Sequence, residues 1–315
     1  MQKVLITGGA GYIGSMLSTK LLDLGYHVTV VDLLKYDKGS LNHLYFNKNF
    51  KLLNEDIRKK NLMRKLVKKF DFIIIGAGSA GCVLANKLSK SGKHKVLLLE
   101  AGPSDNRFWI KVPIGYGKVF YDQRVNWKYT TAPEPHLNNR SIYWPRGKVL
   151  GGSSSINAMV YVRGHPNDFN EWGQVAPGWS WSDVAPVFKR MERYEAAQDP
   201  LRGTNGPLSI TDVSTKVHPL TKAYLKAADQ AGIGLNPDYN AQAMEGAPLY
   251  QITPSQGRRA SSAQAYLRPA LKRKNLIVET GAYVQKLCFE GTRASGVHYH
   301  HRGETKAAHC AAEVI

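Results

Sequence analysis

Two glycine-rich turns, each followed at a distance by an acid, carry the residue types best suited to chemistry. The first is Thr7-Gly8-Gly9-Ala10-Gly11-Tyr12-Ile13-Gly14, with Asp32 behind it. The second is Gly76-Ala77-Gly78-Ser79-Ala80-Gly81, with Glu100 behind it. In both, 24 residues separate the first glycine (Gly8 or Gly76) from the acid. Glycine permits the tight turn, lets backbone approach a pyrophosphate, and lets helix and strand pack closely. A helix N-terminus behind the turn offers unpaired N–H groups and a partial positive charge to the phosphates. The acid accepts hydrogen bonds from ribose hydroxyls. This chemistry is dinucleotide binding. Its candidate residues are Gly8, Gly11, Tyr12, Ile13, Gly14 and Asp32 in the first turn, and Gly76, Gly78, Ser79, Ala80, Gly81 and Glu100 in the second.

The elements that must position these residues repeat as well. Val4-Leu5-Ile6 and Phe72-Ile73-Ile74-Ile75 read as strands leading into the turns. Helical patterns follow from Met16 to Leu24 and from Val83 to Leu88, ending near Gly25 and Gly92 as stop signals. Val28-Thr29-Val30-Val31 and Val96-Leu97-Leu98-Leu99 then lead to the acids. The pattern is βαβ written twice, which predicts an α/β chain.

Beyond Glu100 the pattern is irregular and aromatic through Trp181. A helix is expected from about Ser182 to Tyr194, a strand at Leu208-Ser209-Ile210, and an amphipathic helix from Leu220 to Ala231. The end reads as strands at Leu276–Glu279, Tyr283–Phe289 and Ala294–Tyr299, with another starting near Ala311; turns at Glu290-Gly291-Thr292 and Arg302-Gly303-Glu304 make a meander.

The chain has 315 residues, 43% of them apolar, and a formal net charge of +19. Such charge can attract nucleic acid, but no nucleic-acid module accompanies it, so no such partner is expected. The densest basic stretch, Arg58 to Lys69, reads as a helix with Leu62, Leu66 and Val67 on one face. No apolar run reaches the length of a transmembrane segment, and no secretory leader is expected at Met1–Ile6. Cys82, Cys288 and Cys310 match neither a disulfide framework nor a metal-ligand spacing, which fits a cytoplasmic protein. His298, His300 and His301 cluster, yet lack a supporting carboxylate or cysteine pattern; they read as a solvated strand edge, and no metal is expected. His165 reads as structural.

From Asp71 onward, over 245 of the 315 residues, the chain resembles the glucose–methanol–choline (GMC) oxidoreductase family, especially its choline-dehydrogenase-like members. The resemblance is carried by Asp71 to Ala85, by Leu99-Glu100-Ala101-Gly102-Pro103, and by Gly257-Arg258-Arg259-Ala260-Ser261-Ser262-Ala263-Gln264-Ala265-Tyr266-Leu267. Its most specific string is Pro145-Arg146-Gly147-Lys148-Val149-Leu150-Gly151-Gly152-Ser153-Ser154-Ser155-Ile156-Asn157-Ala158-Met159-Val160-Tyr161-Val162-Arg163-Gly164. The glycines and serines of that string suit close approach to a diphosphate or a flavin ring.

The resemblance implies FAD as cofactor and hydride transfer from an alcohol to flavin N5, giving an aldehyde. It implies flavin contacts at Val149, Gly151, Gly152, Asn157, Ala158, Met159 and Val160, and an adenine-side backbone contact at Val284. Ile156 stands where some members carry a histidine covalently attached to FAD, so noncovalent FAD is expected. It also implies a Rossmann-like FAD-binding part at 71–164 and 257–315, with a partial α+β substrate domain at 165–256. The family's catalytic histidine pair lies near its C-terminus; no catalytic residue is assigned here, and the chain reads as truncated before it. Choline or another primary alcohol remains open as substrate, and so does the oligomeric state.

Residues 1–70 resemble the start of an NAD-dependent epimerase/dehydratase, an extended short-chain dehydrogenase. Thr7 to Gly14, Val31-Asp32 and Glu55-Asp56-Ile57-Arg58 carry that likeness. It implies a half-Rossmann fragment with possible NAD binding, Asp32 disfavouring the 2′-phosphate of NADP. A change of family within one strand reads as a recombined or mis-joined frame. A fragment of this size buries little and leaves open sheet edges, which predicts instability unless another chain supplies strands. An epimerase-like protein and a noncatalytic nucleotide-binding fragment are the alternative functions.

Overall fold

A computed structural model describes residues 3–35, 39–59 and 70–315. The chain divides into two compact units, Met1–Asp71 with Ala308–Ala311, and Phe72–Ala307 with Ala312–Ile315.

In the first unit, β1 (Lys3–Thr7), α1 (Tyr12–Asp23), β2 (His27–Asp32) and β3 (Phe50–Asn54) follow in order. The three strands pair in parallel, β1-β2-β3, with Val4 opposite Val28 and Val30 opposite Leu52. Val28, Val30 and Val31 are buried, as the strand of a covered parallel sheet requires. Ile6, Leu22, Leu41 and Leu44 complete this core. The helix α1 stops where Gly25 takes φ +80° and its N–H reaches the Leu22 carbonyl at 2.9 Å. The third strand is an element the sequence pattern does not announce: Phe50-Lys51-Leu52-Leu53-Asn54 is short and half polar. Of the expected basic helix at Arg58 to Lys69, Arg58 lies in a turn with Ile57, Lys59 lies in no regular element, and residues 60–69 lie outside the described residues.

The second unit opens, from Phe72, within β4 (Phe70–Ile75), followed by α2 (Ser79–Ser89) and β5 (Val96–Glu100), then a short hairpin of β6 (Tyr129–Thr130) and β7 (Tyr143–Trp144). Next come α3 (Pro166–Val175), α4 (Trp181–Met191), β8 (Glu192–Tyr194), β9 (Leu208–Ile210) and α5 (Pro219–Gln230). The two-residue strands β10 (Pro254–Ser255) and β11 (Arg258–Arg259) precede β12 (Leu276–Thr280), β13 (Ala282–Glu290), β14 (Arg293–His301) and β15 (Glu304–Val314). The main sheet is mixed, in the order β12-β5-β4-β15-β14-β13. Its β12, β5 and β4 are parallel, and β13 and β14 form an antiparallel hairpin. Ile74, Cys82, Ala85, Leu98 and Leu267 fill the space between β4, β5, α2 and the helical stretch Ala263–Leu267. This is a Rossmann-like domain in a mixed α/β architecture.

Three expectations change here. The helix expected to Tyr194 ends at Met191, because Glu192 turns into a buried ion cluster with Arg163 and Arg202, at 2.5 Å and 2.8 Å. The irregular stretch before Trp181 contains α3, begun by His165, whose Nδ1 accepts from the Asn167 N–H at 3.1 Å with Pro166 in the first turn. The His298–His301 strand is not an edge: β14 lies between β15 and β13. His298 and His300 are exposed on one face. His301 is buried, with Nδ1 3.2 Å from a Glu279 carboxylate oxygen. No group of potential metal ligands occurs among the described residues, and none of their helices is long and apolar enough to cross a membrane.

Candidate functional site

The second glycine turn begins where β4 ends. Gly76 takes φ +90°, and its N–H donates to the Leu99 carbonyl at 2.7 Å. A Cβ on Gly81 would stand 1.9 Å from the Gly76 carbonyl oxygen, so only glycine lets α2 start this close to the strand. Gly78 occupies the N-cap and has no side chain to cap the helix. The first-turn N–H groups of α2 are therefore left for an anion or water.

Glu100, at the end of β5, is 5% exposed. One carboxylate oxygen accepts from the Ala77 N–H at 2.7 Å, the other from the Gly102 N–H at 2.8 Å. Burial pushes its pKa up, while the two amides and the Lys148 charge pull it down. Each oxygen keeps a further lone pair, so the acid can hold the turn and still accept from ribose hydroxyls.

The glycine–serine loop seats against the same turn. The Gly151 N–H donates to the Ala77 carbonyl at 2.7 Å, and a Cβ on Gly152 would lie 2.7 Å from the Gly78 Cα. These backbones enclose a cavity of about 280 Å³. Gly76, Gly78, Glu100 and Gly152 line one side, while Trp127, Tyr283 and Val284 line another. The Lys148 ammonium sits 4.7 Å over the Trp127 ring. A backbone cradle, a helix start without a side-chain cap and a buried ribose-type acid suit the adenosine diphosphate part of a dinucleotide. Trp127 and Tyr283 carry no signal in sequence; Gly147, which also lines the cavity, stands in the quoted string with no role assigned to it.

The remaining candidates group elsewhere in the unit. Asn157, Ala158 and Val160 are exposed, and Met159 is buried in the left-handed region with φ +66°. That turn is held from outside. Arg259 donates to the Asn157 backbone oxygen at 2.7 Å and its side-chain oxygen at 2.9 Å, and the Thr253 N–H donates to the Met159 carbonyl at 2.9 Å. Val149 and Ile156 are buried together among Ile110, Val119 and Val125, so Val149 offers a ligand no exposed side chain.

In the first unit the same device recurs. Gly8 takes φ +70°, and the Asp32 carboxylate accepts from the Ala10 N–H at 2.9 Å and the Leu34 N–H at 2.8 Å. Gly8, Gly11, Tyr12 and Asp32 line a cavity of about 590 Å³ with Lys35, Ser40 and Glu55. Gly14 packs on Gly9, where a Cβ would meet the Gly9 Cα at 2.5 Å, and Ile13 lines a separate surface groove with Met16 and Lys20 instead of this cavity.

Comparison with known proteins adds three findings. The GMC oxidoreductase family matches residues 70–315, and the NAD dependent epimerase/dehydratase family matches residues 4–106. An oxygen-dependent choline dehydrogenase of Rhizobium etli is 47% identical over 246 residues, covering 78% of this chain and 44% of the relative. The alcohol dehydrogenase [acceptor] of Pseudomonas putida is 44% identical over 234 residues, covering 73% of this chain and 42% of the relative. Among solved structures, pyridoxine 4-oxidase from Mesorbium loti superposes with a TM-score of 0.73 at 32% identity, over 77% of this chain and 48% of that one. The chain thus spans less than half the length of the curated relatives it matches.

Proposed function

The chain belongs to the GMC oxidoreductase family, and from that premise we propose that residues 71–315 form the FAD-binding part and a portion of the substrate domain of an alcohol-oxidising flavoenzyme. The observation that carries this reading is the convergence of the Gly76 turn, Glu100, Gly152 and Val284 on one cavity. The FAD-binding part is 71–164 with 257–315, and 165–256 is the part facing substrate. Bound FAD supplies the hydride acceptor. The α2 start takes the diphosphate, Glu100 the ribose, and the Trp127–Tyr283–Val284 wall the adenine. The exposed Asn157–Val160 turn faces the flavin ring, with Ala158 and Val160 excluding water from it.

The FAD is held noncovalently. Ile156 has no nucleophilic atom for attachment and is buried at 2% exposure. The substrate class is a primary alcohol, choline-like by the company of the Rhizobium relative. No residue of this chain is assigned as the base. The purified protein is expected to be yellow, to release its flavin into the supernatant on acid precipitation, and to lose visible absorbance when an alcohol is added without oxygen. Protein that neither carries flavin nor binds added FAD in a fluorescence titration refutes the reading.

A second reading concerns residues 1–70 alone, favoured by the Asp32 cavity of about 590 Å³. It takes NAD. NADH is expected to bind more tightly than NADPH, because Asp32 repels a 2′-phosphate; equal binding, or none, refutes it.

A further inference from the structure

Buried guanidinium groups in this chain normally meet a carboxylate. Arg163 and Arg202, both in the second unit, share Glu192 at 2.5 Å and 2.8 Å with all three side chains buried. Arg259 departs from that rule. It is 5% exposed, and every atom it donates to is a neutral oxygen. Its Nε reaches the Ile110 carbonyl at 3.0 Å, and one terminal nitrogen reaches Ser154 O at 3.2 Å, Asn157 O at 2.7 Å and Asn157 Oδ1 at 2.9 Å. Its other terminal nitrogen is buried with no partner among the described residues. Burial lowers its pKa only to about 10, so the group is charged at neutral pH. Taking an ion out of water without a counter-charge is unfavourable, and tying carbonyls together does not require one: a neutral amide does the same.

We propose that Arg259 is the fixed positive charge of the flavin site, clasping the Asn157–Met159 turn and lending its uncompensated charge to the electron-rich pyrimidine edge of the bound ring. This rests on the assignment of the Asn157–Val160 turn to the flavin made above. Arg259 is one residue removed from the ring through Asn157, and acts on it by charge and by placing that turn. A unit charge within about 12 Å, at an effective dielectric constant of about 20, is worth roughly a factor of ten in any equilibrium that adds negative charge to the ring.

Sulfite provides the probe. It adds to oxidised flavin, bleaches the visible band and leaves the ring anionic, so its dissociation constant reads the local positive charge. In flavin-loaded protein, Arg259→Gln is expected to weaken sulfite binding roughly tenfold, and Arg259→Lys, which keeps the charge but loses the fork of hydrogen bonds, to stay within about threefold of wild type. A purely structural arginine would lower the melting temperature in both variants and leave sulfite affinity unchanged in the flavin they retain; that result overturns the proposal. If Arg259→Gln does not fold, Arg259→Met, which fills similar space without the charge, takes its place: a roughly tenfold weakening of sulfite binding supports the proposal, and unchanged affinity overturns it. Wild-type protein that takes up no flavin overturns the parent reading first, and this one with it.

Discussion

Glu100→Gln isolates the acid that the FAD reading depends on. The carboxylate accepts from Ala77 at 2.7 Å and Gly102 at 2.8 Å. Glutamine keeps the shape but turns one acceptor into a donor, which then faces a backbone N–H. Orphaning a buried N–H costs about 1–3 kcal/mol. Removing a charge that burial disfavours returns part of that, so the net change in flavin-free stability is expected to stay near 1 kcal/mol. Binding has no such offset. Charge-assisted bonds to ribose hydroxyls are worth about 1.5–3 kcal/mol each, against about 0.5–1.5 for neutral ones. Losing that difference at one or two hydroxyls raises the FAD dissociation constant about 10- to 100-fold. Titration of flavin-stripped protein, followed by quenching of flavin fluorescence, measures it. Asp32→Asn is the matched control, since it alters the same device in the first unit and is expected to leave FAD affinity unchanged. A Glu100→Gln protein that folds and binds FAD within threefold of wild type refutes the assignment of Glu100 to the ribose.

Three other outcomes follow from the geometry. Glu100 has its folded pKa raised above the ordinary 4.5 by burial, so its contribution to flavin-free stability is greatest below pH 4.5 and falls as pH rises through the raised value; Glu100→Gln should flatten that segment of a urea-denaturation profile. Gly81→Ala puts a Cβ 1.9 Å from the Gly76 oxygen and should cost about 3 kcal/mol, lowering the calorimetric melting temperature by about 6–12 °C. Glu192→Gln leaves the buried Arg163 guanidinium without a carboxylate and Arg202 with Asp238 alone and should cost about 3–5 kcal/mol in chemical denaturation, whereas Asp122→Asn, which breaks an exposed pair with Arg124, should cost no more than about 1 kcal/mol.

Both turns, their strands and their acids were legible because each is a local pattern: a few contiguous glycines, an apolar run, and a fixed spacing. Strand β9 and helix α5 were legible for the same reason, and the structure places them at Leu208–Ile210 and Pro219–Gln230. The cavity wall was not. Trp127, Gly147 and Tyr283 come from separate stretches of the chain and meet only through the tertiary fold. Helix α3 was hidden by its mixed aromatic and polar composition: none of its residues is buried, and its stripe is a short one, centred on Phe169, which packs on Trp172, Trp181 and Phe188. Strand alternation already put His298 and His300 on one face in sequence, and the structure leaves both exposed; what sequence did not show is that His301 is buried against Glu279.

The two turns also show where a fingerprint stops being informative. Asp32 with Ala10 and Glu100 with Ala77 make nearly the same bond, at 2.9 Å and 2.7 Å, from the same place at the end of a second strand. Nothing in that bond selects a nicotinamide over a flavin. What differs is the covering. Around Asp32 the cavity is about 590 Å³ and carries the side chains of Lys35 and Glu55. Around Glu100 it is about 280 Å³ and is roofed by Gly152 backbone, Trp127 and Val284. The roof exists because Gly151 and Gly152 adopt φ of +88° and +54°, which L side chains resist, and so press backbone onto Gly78. The discriminating information therefore resides in the Gly147–Val160 string rather than in the glycine turn. Grafting a side chain at Gly152 should remove FAD binding, because its Cβ would meet the Gly78 Cα at 2.7 Å and part the string from the turn.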